Sequence, residues 1–427
     1  MRRYFGTDGV RGRAGEPPMT PDFVMNLARA GARVLGSPAV LGRDTRASGP
    51  MLEAAMVAGF LDQGTRVFLF GVVPTPAVAY LAGEYGARQG VVISASHNPY
   101  RDNGVKFFGE GGKKLPDELE LELERALAGP FSHREGGEAV AAPEGERVYL
   151  AHLLAQAPGL EGLRLVVDAA NGATYRLAPE LFSRAGAEVF AIGTSPDGKN
   201  INQGLGATAP GTMARLVAEL GFDLGVAFDG DGDRAIFADR KGRIFNGDHV
   251  LYLAARALGL ERVVGTIMSN YGLELALKDL GTELVRAKVG DRYVAEEMEK
   301  TGALVGAEPS GHVIFRERFT TGDGLLTALV VLELLKKTGS DLADWVEELF
   351  LFPQKIVNVR VRDKSRVMAD ERLEGLIAGA KERLGEGRIV VRPSGTEPVI
   401  RVMVEGREEG LVQRVAEELA RAIAELE

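Results

Sequence analysis

The feature that most constrains the fold of this chain is a repeated alternation of short apolar runs with longer helical patterns. In the first third of the sequence, the runs at 39–41, 66–70 and 91–93 have the pattern of strands, and 21–35 and 51–63 have the pattern of helices between them. Continuous apolar strands separated by helices are typical of βαβ units. The pattern therefore predicts a first domain with a mostly parallel sheet.

The alternation restarts twice and then changes in character. Similar sets of predicted strands and helices fall between residues 163 and 228 and between residues 263 and 305, whereas 356–361 and 399–404 alternate apolar with polar residues and a helix is predicted over 410–426. We therefore predict an α/β protein with three similar mixed-sheet α/β domains and a smaller C-terminal α+β domain.

Composition indicates where these domains meet. Residues 128–147 are rich in Gly, Pro and Glu and are predicted to be a linker, a weaker break falls at 241–247, and 352–353 opens the last domain. The predicted domains are residues 1–146, 147–246, 247–352 and 353–427.

Charge and cysteine content exclude several classes of function. The 427 residues carry a formal net charge of −9 with no basic stripe, which argues against a nucleic-acid partner. The absence of cysteine excludes disulfides, thiolate catalysis and Cys-ligated metals. The longest apolar stretch, 325–335, is too short to cross a bilayer, and no signal peptide is seen at the start. We therefore expect a cytoplasmic protein without a membrane partner.

The segment 229–234, Asp-Gly-Asp-Gly-Asp-Arg, directly follows a predicted strand. Alternate residues of an extended segment point the same way, so the three carboxylates converge and repel one another unless a cation is present. Oxygen ligands favour Mg²⁺, Mn²⁺ or Ca²⁺, but Arg234 and Arg240 stand where an EF-hand loop needs Gly and Glu. We predict a metal site, and an acidic surface turn is the alternative.

The segment 93–99, Ile-Ser-Ala-Ser-His-Asn-Pro, also ends a predicted strand, at the edge where α/β sheets place ligand loops. Ser96 is a candidate nucleophile, although the segment lacks the Gly-x-Ser-x-Gly pattern of hydrolases. Taken alone, a Ser beside Asn-Pro is more often a turn or helix-cap residue.

Three further segments are ambiguous by themselves. Arg-Pro-Ser-Gly-Thr-Glu-Pro at 392–398 offers an arginine, hydroxyls and turn amides to a phosphate, or is simply a polar hairpin turn. Glu-Pro-Ser-Gly-His at 308–312 offers groups that can contact sugar hydroxyls and a histidine that titrates near neutral pH. Gly-Thr-Asp-Gly-Val-Arg-Gly at 6–12 contributes one arginine in a flexible loop.

Taken together and in this order, the five segments resemble the α-D-phosphohexomutase family, and the resemblance covers essentially the whole chain. It implies four domains around a central cleft, each contributing one loop. It further implies that Ser96 is the phosphoserine and that Asp229, Asp231 and Asp233 hold one Mg²⁺, with an oxygen of phosphorylated Ser96 as a further ligand.

The resemblance also assigns the remaining site residues. Arg11, Lys106 and His312 are expected near the transferring phosphoryl group, with Lys106 or His312 as the acid or base. A base of the lysine type needs a lowered pKa, which we expect neighbouring positive charge to provide. The residues assigned to substrate binding are Arg234, Glu308, Ser310, Arg392, Ser394, Gly395 and Thr396.

Within the family, Ser94 and Asp102 resemble the branch that interconverts glucosamine 6-phosphate and glucosamine 1-phosphate for amino-sugar nucleotide and cell-wall precursor synthesis. Other branches more often carry Thr at the first position and an aromatic residue at the second. The resemblance implies a phosphosugar substrate, a hexose bisphosphate activator, and a monomer or homodimer. Alternatives are a phosphoglucomutase or phosphomannomutase, a phosphatase, and a sugar-phosphate sensor without catalysis.

Overall fold

The computed structural model describes residues 3–6, 8–394 and 399–426, except for the side chains of residues 346 and 348. The chain divides into two compact units, residues 1–268 with 282–347, and residues 269–281 with 348–427. Within the described residues, three sheets of six, five and four strands lie in the first unit, and a three-stranded sheet lies in the second. The prediction of three mixed-sheet α/β domains and a smaller C-terminal domain is confirmed.

The first sheet has the strand order β1-β5-β4-β2-β3-β6. Its strands are β1 (Val10–Arg13), β2 (Ala39–Arg43), β3 (Arg66–Val72), β4 (Gln89–Ile93), β5 (Asp102–Phe108) and β6 (Glu138–Ala141). Its helices are α1 (Pro21–Val34), α2 (Gly49–Asp62), α3 (Thr75–Glu84) and α4 (Asp117–Leu127). Strands β2, β3, β4 and β6 are parallel, whereas β5 runs antiparallel to both β1 and β4, so this sheet is mixed.

Strand β4 is buried along its whole length, which explains why its apolar residues, 91–93, are consecutive and do not alternate with polar ones. The predicted linker at 128–147 is wrong in part, because it contains β6, which pairs with β3. Strand β6 lies at the edge of the sheet and is largely exposed, so its sequence lacks the apolar pattern that identifies a buried strand.

The second sheet has the order β11-β10-β9-β7-β8. Its strands are β7 (Arg164–Asp168), β8 (Glu188–Ile192), β9 (Leu224–Phe228), β10 (Ala235–Asp239) and β11 (Ile244–Phe245), and the helices before and between them are α5 (Gly145–Leu154), α6 (Leu177–Arg184) and α7 (Gly211–Leu220). Because β9 and β10 are antiparallel and pair from Phe228↔Ala235, the segment 229–234 is the hairpin loop that joins them.

The third sheet has the order β13-β12-β14-β15. Its strands are β12 (Arg262–Thr266), β13 (Glu283–Ala287), β14 (Val305–Ala307) and β15 (Val313–Phe315), and its helices are α8 (Gly247–Leu258), α10 (Asp291–Thr301), α11 (Gly324–Thr338) and α12 (Leu342–Glu348). The apolar stretch at 325–335 forms most of α11, a largely buried core helix. Over the described part of the chain, no helix has the length and apolar content needed to span a membrane.

The second unit is built on an antiparallel sheet of order β16-β18-β17. Its strands are β16 (Gln354–Arg360), β17 (Gly387–Pro393) and β18 (Val399–Gly406), and its helices are α9 (Tyr271–Asp279), α13 (Lys364–Met368), α14 (Arg372–Leu384) and α15 (Glu409–Ala424). Helix α15 places apolar residues such as Val412, Val415 and Leu419 in the core of this unit. Each of the four predicted domain ranges contains one of the four sheets. The exact domain boundaries stay predictions, and helix α5 crosses the predicted boundary between residues 146 and 147.

Candidate active site

The hairpin loop between β9 and β10 brings three carboxylates together. Asp229, Asp231 and Asp233 are 0%, 1% and 4% exposed, and each offers an oxygen within 4.8 Å of the oxygens of the other two. Gly232 has φ of 73°, a left-handed conformation that lets the loop turn between the second and third carboxylates. Their burial excludes the acidic surface turn that the sequence left as an alternative.

The three aspartates differ in their electrostatic surroundings. Burial, followed by repulsion from Asp233 and Asp231, raises the pKa of Asp229 well above its ordinary value. Burial also acts to raise the pKa of Asp233, but the charges of Lys106, His312 and Arg234 outweigh it and hold that pKa well below the usual range. The pKa of Asp231 is lowered as well. Two of the three carboxylates in the loop, those of Asp231 and Asp233, are therefore ionised at neutral pH.

This loop has the donor set that a hard divalent cation requires. Oδ1 of Asp231 and Oδ1 of Asp233 are buried and have no hydrogen-bond partner among the described residues. Buried carboxylate oxygens without partners are costly unless a cation or a donor completes their environment. The residues present fit a metal bound through oxygen ligands.

Ser96 lies directly beside this loop, in the turn after β4. Its side chain is buried, and its Oγ donates a hydrogen bond to Asp229 Oδ2 at 2.6 Å. Its backbone has φ of 50°, in the left-handed region that few residues with a Cβ adopt. The next element after Ser96 is strand β5, so Ser96 caps no helix, and its hydroxyl is held against a candidate metal ligand.

Lys106, on β5, is buried among carboxylates. Its Nζ lies 2.7 Å from Asp8 Oδ2, 2.8 Å from Asp231 Oδ2 and 3.5 Å from Asp233 Oδ2. Burial acts to lower the pKa of Lys106, but these three carboxylates outweigh it and hold the pKa well above that of an ordinary lysine. The expectation that neighbouring positive charge lowers this pKa is wrong for this arrangement, since the groups closest to Nζ are negative.

His312 also lies beside the carboxylate cluster. Its Nδ1 is 3.7 Å from Asp233 Oδ2 and its Nε2 is 3.9 Å from Asp291 Oδ2. Burial acts to lower the pKa of His312, but Asp233, Asp291 and Glu308 together raise it. Its Nε2 is buried and has no hydrogen-bond partner within the described residues.

The other predicted groups of the first unit surround these residues. Arg11 donates from Nη2 to Asp8 Oδ2 at 2.6 Å, and Arg234 has its Nε 3.9 Å from both Asp229 and Asp233. Glu308 Oε1 accepts from Gly290 N at 3.0 Å. Ser310 Oγ is buried without a hydrogen-bond partner in the part of the chain that the structure describes.

The predicted phosphate-binding residues belong to the second unit. Arg392 is on β17, directly opposite Arg401 of β18 in the strand register, and Ser394 follows β17 and is buried. Like charges directly opposite one another on neighbouring strands are unfavourable. Gly395 and Thr396 lie outside the described residues.

Sequence reasoning missed several residues that complete the site. Asp8 binds Lys106 and also accepts from Lys114, whose Nζ contacts Asp291 at 2.7 Å. Thr75 donates from Oγ1 to Asp231 Oδ2 at 2.6 Å. Asp8 and Thr75 both lie close to strands of the first sheet, and this position is the one sequence feature that could mark them as candidates for the site. The sequence does not reveal which charged group each side chain contacts.

His97 was also missed, although it adjoins Ser96. Its Nδ1 is 3.3 Å from Ser96 Oγ. Burial, followed by the charges of Arg234 and Arg11, lowers the pKa of His97 to about 4. The imidazole beside the serine hydroxyl is therefore neutral at physiological pH.

The arrangement has the parts that phosphoryl transfer requires. A buried hydroxyl lies against a carboxylate cluster suited to a divalent cation, and arginine and lysine side chains surround both. Phosphoryl transfer depends mainly on positioning and on neutralising charge at the transferring oxygens. Acyl transfer is less suited to this site, since the hydroxyl donates to a carboxylate and not to a general base oriented as in a hydrolase triad.

Four family models match the chain in succession. All four describe phosphoglucomutase/phosphomannomutase domains: domain I matches residues 2–132, domain II residues 147–242, domain III residues 246–351, and the C-terminal domain residues 356–422.

Curated relatives and solved structures match over the same length. A phosphoglucosamine mutase of Thermus thermophilus is 58% identical over 100% of this chain and 97% of its own, and a phosphoglucosamine mutase of Deinococcus radiodurans is 50% identical over 99% and 98%. The crystal structure of a phosphoglucomutase/phosphomannomutase family protein from Burkholderia thailandensis aligns with a TM-score of 0.83 at 27% identity, covering 98% of this chain and 97% of that one.

Proposed function

Because this chain belongs to the α-D-phosphohexomutase family, we propose that it interconverts glucosamine 6-phosphate and glucosamine 1-phosphate through a phosphorylated Ser96. The observation that carries the proposal is the 2.6 Å hydrogen bond from Ser96 Oγ to Asp229 within the buried carboxylate cluster. The choice of sugar is supported by the relatives of 58% and 50% identity, both phosphoglucosamine mutases.

The reaction proceeds in two transfers through the same serine. A sugar hydroxyl oxygen attacks the phosphorus of phosphoserine 96, the bond to Ser96 Oγ breaks, and the sugar becomes a bisphosphate. The bisphosphate then reorients in the site so that its two ends exchange places. Ser96 Oγ attacks the phosphorus of the other phosphate, and the isomeric monophosphate is released. A serine phosphate monoester suits this role because it resists hydrolysis while the intermediate turns.

The chain's own residues supply the charges that these transfers need. Arg11 and Arg234 lie beside the carboxylate cluster, where their guanidinium groups offset charge on the transferring phosphoryl oxygens. Asp229, Asp231 and Asp233, with an oxygen at Ser96, would hold Mg²⁺, which when bound offsets further charge on that group. We assign proton transfer with the sugar hydroxyl to Lys106 or His312, and the raised pKa of Lys106 keeps that side chain protonated, so it can act only as the proton donor.

Sugar recognition falls to the loop between β14 and β15. Glu308 is buried, and burial raises its pKa above the ordinary value. Ser310 presents a buried hydroxyl without a partner in the described chain, and such groups are satisfied by a bound polar ligand. We assign these two side chains to the sugar hydroxyls.

Recognition of the phosphate that is not reacting falls to Arg392, Ser394, Gly395 and Thr396. An arginine with hydroxyl and amide donors recognises a phosphate rather than one particular edge of the sugar. Such a loop can therefore accept either end of the bisphosphate, as the reorientation of the intermediate between the two transfers requires.

The assay that tests the proposal compares kcat/KM for glucosamine, glucose and mannose phosphates, with Mg²⁺ and a trace of a hexose bisphosphate to phosphorylate Ser96. We expect the highest kcat/KM for glucosamine phosphates and no mutase activity in Ser96→Ala. Faster turnover of glucose or mannose phosphates would retain the mechanism and reject the substrate. Full activity in Ser96→Ala would reject the mechanism.

A further inference from the structure

The backbone carbonyl of Ser96 is a point on which several elements of the first unit converge. The left-handed φ of 50° at Ser96 is unfavourable for a residue with a Cβ, so the turn persists only where surrounding contacts fix it. This conformation directs Oγ to Asp229. The contacts that hold the turn therefore also set the direction of the candidate nucleophile.

Arg46 makes the largest set of these contacts. Its side chain follows β2 and is fully buried, and its Nε donates to Asp44 Oδ2 at 2.9 Å. Its two Nη atoms donate to four backbone carbonyls, three in the segment between β4 and β5 and one on the first residue of β5. These carbonyls belong to Ser96, Asn98, Pro99 and Asp102, at N···O distances of 2.9, 2.8, 2.5 and 3.1 Å.

The five N–H groups of the guanidinium are thus matched by five acceptors, an arrangement that only the planar fork of arginine can make. A buried ion pair is weak as a source of stability, since well-packed apolar residues often do as well. What Arg46 supplies that an apolar residue cannot is a fixed position for four carbonyl groups of the backbone.

Asp44 extends the same network to the other side of Ser96. It accepts from Ser94 Oγ at 2.6 Å, and Ser94 Oγ in turn accepts from the backbone N of Ser96 at 2.9 Å. The peptide groups on both sides of Ser96 are therefore tied to the pair formed by Arg46 and Asp44.

Asn202 holds the same carbonyl from the second domain. Its Nδ2 donates to Ser96 O at 2.9 Å and to Asn98 O at 3.3 Å. Gly230, in the hairpin loop, lies so close that a Cβ at that position would be 2.6 Å from Ser96 O. The position of the serine turn relative to the carboxylate loop is thus fixed by Asn202 as well as by Asp229.

We propose that Arg46 and Asn202 are positioning residues for phosphoryl transfer at Ser96, an inference that rests on the proposed function. Neither acts on the substrate. Arg46 fixes the shape of the serine turn, and Asn202 fixes its place relative to the carboxylates, so that Oγ stays aligned with the transferring phosphorus. Misplacement of a reacting atom by about 1 Å costs on the order of a hundredfold in rate.

The test measures the single-turnover rate of Ser96 phosphorylation by glucose 1,6-bisphosphate, together with kcat, KM and the thermal midpoint. Arg46→Lys keeps the charge beside Asp44 and removes the fork. We expect the phosphorylation rate and kcat to fall about a hundredfold with KM within about threefold. Arg29→Lys is the matched control, since Arg29 of α1 donates to Asp62 at 2.8 Å and to Asn26 at 2.9 Å, away from the serine turn, and it should retain the wild-type rate.

Asn202→Gly is the second variant, because glycine accepts the φ of 58° at this position while the amide is lost. We expect about a tenfold loss of phosphorylation rate, again with little change in KM. If Arg46→Lys does not fold, this variant decides the matter. Wild-type phosphorylation rates in the folded variants, or a rise in KM alone, would overturn the inference. A wild-type enzyme that acquires no phosphate on Ser96 would overturn the proposed function and the inference with it.

Discussion

At the scale of single residues, the site depends on charges that compensate one another across long separations in sequence. Lys106 is buried and reaches Asp8 at 2.7 Å and Asp231 at 2.8 Å. Removing one partner of a buried charge pair generally costs about 3–5 kcal/mol, because the other charge is left uncompensated. Lys106 is therefore both a candidate for proton transfer and a cation that stabilises this cluster.

We predict that Mg²⁺ raises the thermal midpoint of the wild-type protein and that a chelator reverses the rise. Binding only to the folded state at a hundred times Kd contributes about 2.7 kcal/mol. Asp231→Asn should abolish this rise together with mutase activity, because it removes a carboxylate from the cluster. Differential scanning fluorimetry with and without Mg²⁺ measures the effect.

Asp22→Asn is the control for that experiment, since Asp22 is an exposed residue in the first turn of α1 and should leave the Mg²⁺ response unchanged. A Mg²⁺ response that survives in Asp231→Asn would show that the cation binds elsewhere.

How far the site could be predicted also differs from residue to residue. Asp229, Asp231 and Asp233 were found because they are close in sequence and follow a buried strand. Asp8 and Thr75 were not, because their roles arise from side-chain contacts with Lys106 and Asp231, which are far from them along the chain. No pattern within one segment records such a contact.

At the scale of elements, α8 carries a group that makes stability depend on pH. Asn246 caps this helix, and its backbone N and its Oδ1 lie 3.1 and 2.9 Å from Nδ1 of His249, which accepts the backbone hydrogen bond when the imidazole is neutral. Burial lowers the pKa of His249 from 6.5 to about 4. The unfolded chain therefore binds more protons between these two values, and the contribution of this residue to stability is complete above pH 6.5 and is lost as the pH falls towards 4.

We predict that His249→Gln removes this part of the acid sensitivity. Glutamine at the third helical position can accept the same capping hydrogen bond and does not titrate. The free energy of unfolding of the wild type, measured by urea titration relative to that of the variant, should fall by about 3 kcal/mol between about pH 7 and pH 4. Parallel curves for the two proteins across this range would contradict the assignment.

The elements themselves were predicted unevenly. Strands β2, β4 and β9 were found from their apolar runs because they are buried in the middle of their sheets. Strand β6 lies within the predicted linker, because an exposed edge strand needs no apolar alternation and takes its register from β3. The composition of segment 128–147 indicates that it is exposed to solvent, but composition does not distinguish an edge strand that pairs with its neighbour from a loop.

At the scale of the whole molecule, the function requires a second phosphate site besides the one at Ser96. The paired positions Arg392 and Arg401 on β17 and β18 place two arginine side chains on one face of the C-terminal sheet. Partial burial and the charge of Arg401 lower the pKa of Arg392. A phosphate bound beside these side chains would relieve that repulsion.

We therefore predict that Arg392→Ala lowers kcat/KM for glucosamine 6-phosphate by about tenfold to a hundredfold, the range expected for losing a charged hydrogen bond. The loss should appear largely in KM, since this residue is assigned to the phosphate that is not reacting. Steady-state kinetics measures it, with Arg414→Ala on the exposed face of α15 as the control. An unchanged KM in Arg392→Ala would remove this loop from the substrate site.

The measurement that tests the central claim most directly follows one labelled phosphate through a single turnover. The enzyme is labelled on Ser96 with radioactive phosphate from a hexose bisphosphate, freed of excess reagent and mixed with glucosamine 6-phosphate in a rapid-quench instrument. We predict that the label leaves Ser96 at a rate no slower than kcat and appears in the sugar bisphosphate and then in the monophosphates. Label that stays on the protein during turnover, or is released as inorganic phosphate, would contradict the account.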